Sequence, residues 1–133
     1  MNPNYSLVAD RAGHRCEYCR APELVFNFRF EVEHIIPLSR NGLDAESNLA
    51  LACRCCNLHK GNRIGAIDPE SGIEVRLFNP RQDRWDEHLH VDGESAAIIG
   101  LTPIGRVTVI CLEMNSPAQL TARTIWIRLS LFP

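Results

Sequence analysis

The sequence lacks the features that mark several protein classes. Its 133 residues contain no apolar run long enough to cross a bilayer, no internal repeat and no low-complexity tract, which excludes a membrane span and a solenoid. The opening stretch MNPNYSLVADRAGHR has no apolar segment of the kind a secretory leader needs, so a cytoplasmic setting is expected. Net charge is also lacking. Lys+Arg of 14 against Asp+Glu of 16 leaves −2 at pH 7, so any site for a polyanion must be local. Lysine is almost missing: Lys60 stands alone and every other basic residue is an arginine, whose forked donors suit phosphate. The chain is nonetheless 45% hydrophobic and 23% charged, the balance of a folded soluble domain rather than a disordered one.

Against these absences stands an excess of cysteine, six in so short a chain: Cys16, Cys19, Cys53, Cys55, Cys56 and Cys111. Without a leader, a disulfide scaffold is a weak reading, and clustered thiols in a reducing setting bind metal. Cys16-x-x-Cys19 and Cys53-x-x-Cys56 have the spacing that lets one turn of chain offer two thiolates to one ion. Two such knuckles complete a tetrahedral zinc site. A thiol redox protein is the rival reading of the same cysteines. Cys111 falls in the stripe Ile104, Val107, Cys111, Met114 and reads as core, and Cys55 reads as a bystander inside the second knuckle.

The rest of the chain predicts a mixed α+β fold. A short helix is expected over residues 4–13. Residues 24–34, LVFNFRFEVEH, alternate apolar and polar side chains and predict a strand or tight hairpin ending near His34. Residues 38–47, with Asn41-Gly42, predict a surface loop, and NLALA and RCCNLHK predict short helical turns around the second knuckle. Further on, IEVRLF, 89–91 and 97–101 predict strands. TPIGRVTVICLEMN, with Thr102 as N-cap, and SPAQLTARTIWIRLSLF predict a helical hairpin covering a small sheet.

The residues framed by the knuckles are the informative ones. The run C-x-x-C, then V-E-H-I-I-P-L-S-R-N-G, then N-L-x-L-x-C-x-x-C-N-x-x-K-G resembles an HNH endonuclease of the zinc-stapled ββα-metal kind over residues 14–63. The resemblance implies a ββα-metal core over residues 1–63, stapled by the four-cysteine zinc site, and leaves 64–133 as a C-terminal strand and helical-hairpin extension like that on some bacterial HNH proteins. It implies a DNA endonuclease leaving 5'-phosphate and 3'-hydroxyl ends. In it His34 is the general base, Asn48 ties the loop to the hairpin, and Glu33 and Asn57 hold a catalytic Mg2+ or Mn2+.

The residue types agree with that chemistry. A histidine with an ordinary pKa near 6.5 can take a proton from water near neutral pH. Carboxylate and amide oxygens suit a hard cation that neutralises the leaving group. Adjacent strand residues face opposite ways, so Glu33 and His34 share a site only where the strand twists or ends, as Pro37 suggests. The third family position takes histidine or asparagine; on α-helical spacing His59 projects away from Asn57, whereas Asn57 and Lys60 share a face, so Asn57 is the expected ligand and His59 the reserve candidate. Lys60, Arg63, Arg54, Arg81 and Arg84 are the expected nucleic-acid contacts, with Trp85 beside the last two as an aromatic surface or a core residue. The competing function is a zinc-stapled nucleic-acid-binding module without catalysis.

Overall fold

A computed structural model describes residues 2–133 and shows an α+β chain of short elements. Helix α1 (Tyr5–Arg11) leads into the first cysteine pair, and Val8 and Ala9 on its inner face are fully buried. Strands β1 (Glu31–His34) and β2 (Leu49–Ala52) form an antiparallel hairpin in the register His34↔Leu49 and Glu31↔Ala52. Helix α2 (Arg54–Lys60) follows at once, completing a ββα unit.

Two expectations fail here. Of residues 24–34 only the last four pair as a strand, preceded by a 3-10 turn at Glu23–Val25. The alternation of Phe26, Phe28 and Phe30 has another cause: their rings pack on one another, with Phe26 to Phe30 centroids 5.0 Å apart, and Phe26 lies 5.9 Å from Trp126. An extended segment alternates its side chains whether or not a neighbour strand is present. The segment is pinned instead by the Glu23 carboxylate, which accepts from Tyr5 Oη at 2.7 Å and from the Phe30 amide at 2.7 Å. Residues 49–52, expected as helical turns, are strand β2. All four are buried, so no alternation advertises the strand.

The second half adds two small antiparallel hairpins, β3 (Gly65–Ile67) with β4 (Glu74–Arg76) and β5 (Leu89–Val91) with β6 (Ile98–Gly100); β3 has no counterpart in the sequence reading. Helix α3 (Trp85–His88) runs directly into β5. Helix α4 (Pro103–Cys111) begins at the expected cap, Thr102 accepting from the Gly105 amide, and α5 (Pro117–Arg128) begins at Ser116, which accepts from Gln119. Helix α4 lies on β6 and on the β3–β4 hairpin. Helix α5 is anchored through Trp126 and through Arg123, fully buried with its guanidinium donating to the carbonyls of Ala96 and Met114 at 2.8 and 2.7 Å. Asn115 closes the free edge of β6 by exchanging two 2.8 Å bonds with the Ile98 backbone. Arg106 grips the buried Asp68 through two 3.0 Å bonds.

One cluster of buried side chains runs from Tyr5 and Tyr18 through Leu49 and Leu51 to Trp85, Met114 and Phe132. Among the described residues no helix is long and apolar enough to cross a membrane. Helix α4 sits so close to the turn before β5 that a Cβ on Gly105 would lie 1.9 Å from the His88 carbonyl oxygen. Gly105→Ala is therefore expected to destabilise the fold by roughly 1–3 kcal/mol, read as a lowered denaturant midpoint at unchanged slope.

Candidate functional site

The first knuckle is a turn held by its own backbone. Cys16 N donates to Ala21 O at 2.9 Å, Arg20 N to Cys16 O at 2.8 Å, and Arg20 takes a left-handed φ of 64° to bring the chain round. Cys19 N points at Cys16 Sγ, 3.5 Å away. The second knuckle is the start of α2, where Cys53 Sγ serves as the N-cap and accepts from Cys56 N at 3.4 Å. All six cysteines are free thiols. The four sulfurs of Cys16, Cys19, Cys53 and Cys56 are buried and lie within 4.8 Å of one another, with Cys19 to Cys53 at 3.7 Å. A tetrahedral ion with Zn–S of about 2.3 Å needs sulfurs about 3.8 Å apart, so the cluster fits zinc. No other group of His, Cys, Asp and Glu among the described residues meets that test. Burial opposes charge on Cys16, but bonds from Cys19, Cys53 and Cys56 outweigh it and hold that thiol well below its ordinary value. Four buried sulfurs brought together offer a soft ligand set to one cation.

The hairpin ends in a rigid loop. Asn48 sits at 9% exposure and makes three loop bonds: its Nδ2 donates to the carbonyls of Ile36 and Leu43 at 2.9 and 2.8 Å, and its Oδ1 accepts from Ile36 N at 2.9 Å. The loop also needs Gly42, where a Cβ would come within 1.8 Å of the Ile36 carbonyl oxygen. Next to Leu43, Asp44 reaches His34, whose Nε2 lies 3.0 Å from Asp44 Oδ1. The His34 side chain is 27% exposed, at the solvent end of β1.

Glu33 has a different setting. Buried at 8% exposure, it accepts from Tyr18 Oη through one oxygen and from Lys60 Nζ at 2.9 Å through the other. Burial pushes the Glu33 carboxyl above its ordinary value against the opposing pull of Lys60 and Tyr18, and burial followed by the Glu33 charge pushes the Tyr18 hydroxyl up as well. Lys60 Nζ also donates to the His34 carbonyl at 3.1 Å.

Several expected contacts are thereby corrected. Lys60 is 1% exposed, so it faces Glu33 rather than a phosphate. Arg81 donates to Glu17, with side chains only 17% and 11% exposed, so its charge is already matched. Glu33 is buried with one bond to each oxygen. Asn57 lies half-buried on α2, one turn before Lys60. His59 turns away from His34: its Nδ1 lies 2.8 Å from Cys55 O and its Nε2 2.9 Å from Glu113. Arg54 is exposed at the start of α2, Arg63 reaches Cys111 Sγ at 3.4 Å, and Arg84 is 83% exposed. Trp85 is core at 9% exposure, its Nε1 donating to Tyr18 O at 2.8 Å. Sequence reasoning missed Tyr18 and Asp44. An aromatic between two knuckle cysteines was a usable signal for the first, whereas an acidic residue in a turn carries none.

Residues 16–63 match the HNH endonuclease family. The matched segment runs from knuckle to knuckle around the ββα unit and covers about a third of the chain. No curated protein and no solved structure matches the chain.

Elemental analysis should find zinc bound by the cluster, and stripping it with a strong chelator should abolish the cooperative thermal transition, because apparent zinc-binding free energies of roughly 10–16 kcal/mol exceed the stability of a small domain. Lys60→Met should cost about 3–5 kcal/mol by stranding the Glu33 carboxylate, while Glu33→Gln with Lys60→Met should cost less than Lys60→Met alone; a double-mutant cycle by urea unfolding measures both.

Proposed function

We propose that residues 16–63 act as an endonuclease that hydrolyses DNA phosphodiester bonds, with His34 taking the proton of the attacking water. The observation that carries this reading is the placement of His34. Its ring stands at the loop end of a hairpin, where Asn48 locks the loop, and its Nε2 is held against the Asp44 carboxylate. The proton then resides on Nε2, and Nδ1 is the nitrogen free to act as base. Arg54, Arg63 and Arg84 are the exposed cations available for nucleic-acid phosphates, and residues 64–133 fold onto the domain as one unit with it. Free thiols go with a cytoplasmic setting.

A catalytic magnesium or manganese on Glu33 and Asn57 fits this structure poorly. Glu33 is buried, each of its oxygens accepts a bond and the Lys60 ammonium already matches its charge, so the carboxylate is poorly placed for an ion. No step is routed through such a metal. The same closed carboxylate favours the second reading, a nucleic-acid-binding module without catalysis.

A plasmid-nicking assay with and without added magnesium separates the two. His34→Ala is expected to lose at least about 100-fold in nicking rate, the contribution of a positioned general base, while zinc content and circular dichroism stay as in the native chain. An unchanged rate in that variant removes His34 from the mechanism, and DNA binding without nicking by the native chain establishes the binding module.

A further inference from the structure

Beside the first knuckle lies a cavity of about 410 Å³ that His34 does not line, with Arg11, Arg15 and Arg20 in its wall. The charges around it do not cancel. Two acids line the cavity, Glu17 and Asp83, and both are matched elsewhere. Glu17 accepts from Arg81 and, at 2.9 Å, from the Leu51 amide. Asp83 receives Arg76 through bonds of 2.7 and 2.8 Å and the Asn79 amide at 2.8 Å.

The three arginines have no such partners. Arg11 donates only to the carbonyls of Glu46 and Leu49, at 3.1 and 2.8 Å, and Arg15 only to the Arg20 carbonyl at 3.3 Å. Arg20 stacks over Trp85 with its guanidinium carbon 4.1 Å from the ring centroid, and its one acid, the 80% exposed Asp86, is 3.6 Å away. The neighbouring Arg81 keeps a buried Nη1 with no partner. Burial and then the charge of Arg81 push the Arg11 guanidinium below its ordinary value, against the opposing pull of Glu17 and Glu46. Carbonyl partners satisfy hydrogen bonds but leave net charge in place.

Arginine forks held in fixed directions around a cavity match the oxygens of a phosphate. Arg11 bonds the carbonyl of Leu49, the register partner of His34, so the cavity lies on the β2 side of the hairpin that carries His34. We propose that this arginine cavity binds a backbone phosphate of the nucleic acid taken by the HNH domain, at a position separate from the bond His34 attacks. The proposal rests on the nucleic-acid reading of that domain. It assigns Arg15 and Arg20 a phosphate contact, while Arg11 keeps the additional task of bracing β2.

The test is fluorescence anisotropy of the full chain with a short labelled duplex, without added magnesium, at several salt concentrations between about 50 and 200 mM. Arg15→Glu and Arg20→Glu should each weaken binding at least tenfold and lower the salt slope by nearly one, Arg15→Lys should restore most of the affinity, and Arg128→Glu, an equal charge change at an exposed site outside the cavity, should do little. Zinc content and circular dichroism report whether each variant is folded. Equal effects of Arg15→Glu and Arg128→Glu would mean a diffuse field and would overturn the cavity while leaving the nucleic-acid reading intact. Native protein that binds no duplex, yet shows amide NMR shifts at Arg15 and Arg20 with inorganic pyrophosphate, would overturn the nucleic-acid source together with that reading.

Discussion

Four buried sulfurs hold this chain together. Cys19 and Cys53 are 34 residues apart, yet their sulfurs meet at 3.7 Å, and between them lie the phenylalanine segment and then the hairpin and loop that carry His34. A two-stranded hairpin by itself is marginal in water. Here it is clamped on the side of β2, where Glu17 N donates to Leu51 O and the Glu17 carboxylate accepts from Leu51 N, each at 2.9 Å. The same junction starts α2 through the Cys53 cap. The knuckles thus fix two of the three pieces of the ββα unit, and the third, β1, follows by pairing.

From the knuckle a polar chain runs into the hairpin: Tyr18 Oη to Glu33, Glu33 to Lys60, Lys60 to the carbonyl of His34. A buried ion pair adds little net stability because desolvating both charges offsets their attraction. Its consequence is geometric. Lys60 tethers the C-terminal turn of α2 to the end of β1, so that helix and strand cannot slide past one another without stranding a charge. The chain has a single lysine, and it stands here. Its compact ammonium divides its donors between a carboxylate and a carbonyl in a site with 1% exposure.

What the sequence made legible was local. The two C-x-x-C spacings, the cap at Thr102 and the turn around Asn41-Gly42 all depend on neighbours a few residues away. What stayed hidden depends on distant ones. Residues 49–52 are buried on both faces, so their run of apolar side chains carries no strand period. The phenylalanines of 26–30 alternate because they pack on one another and on Trp126 rather than because they join a ladder. Lys60 reads as a surface cation on a helix, and only the buried carboxylate 27 positions earlier turns it inward. Arg81 is drawn to Glu17 from 64 positions away.

The near-neutral total charge is compatible with a nucleic-acid surface because of this pairing. The pairs Asp83 with Arg76, Asp68 with Arg106 and Glu17 with Arg81 cancel internally and project little net field. At physiological salt the screening length is about 8 Å, so a phosphate at the surface responds to the unpaired groups nearby and not to a sum over the whole chain. Arginines whose partners are carbonyls keep their full charge within that distance. A chain with a net charge of −2 can therefore present a locally positive face where arginines gather on carbonyl partners instead of acids, as Arg11 and Arg15 do.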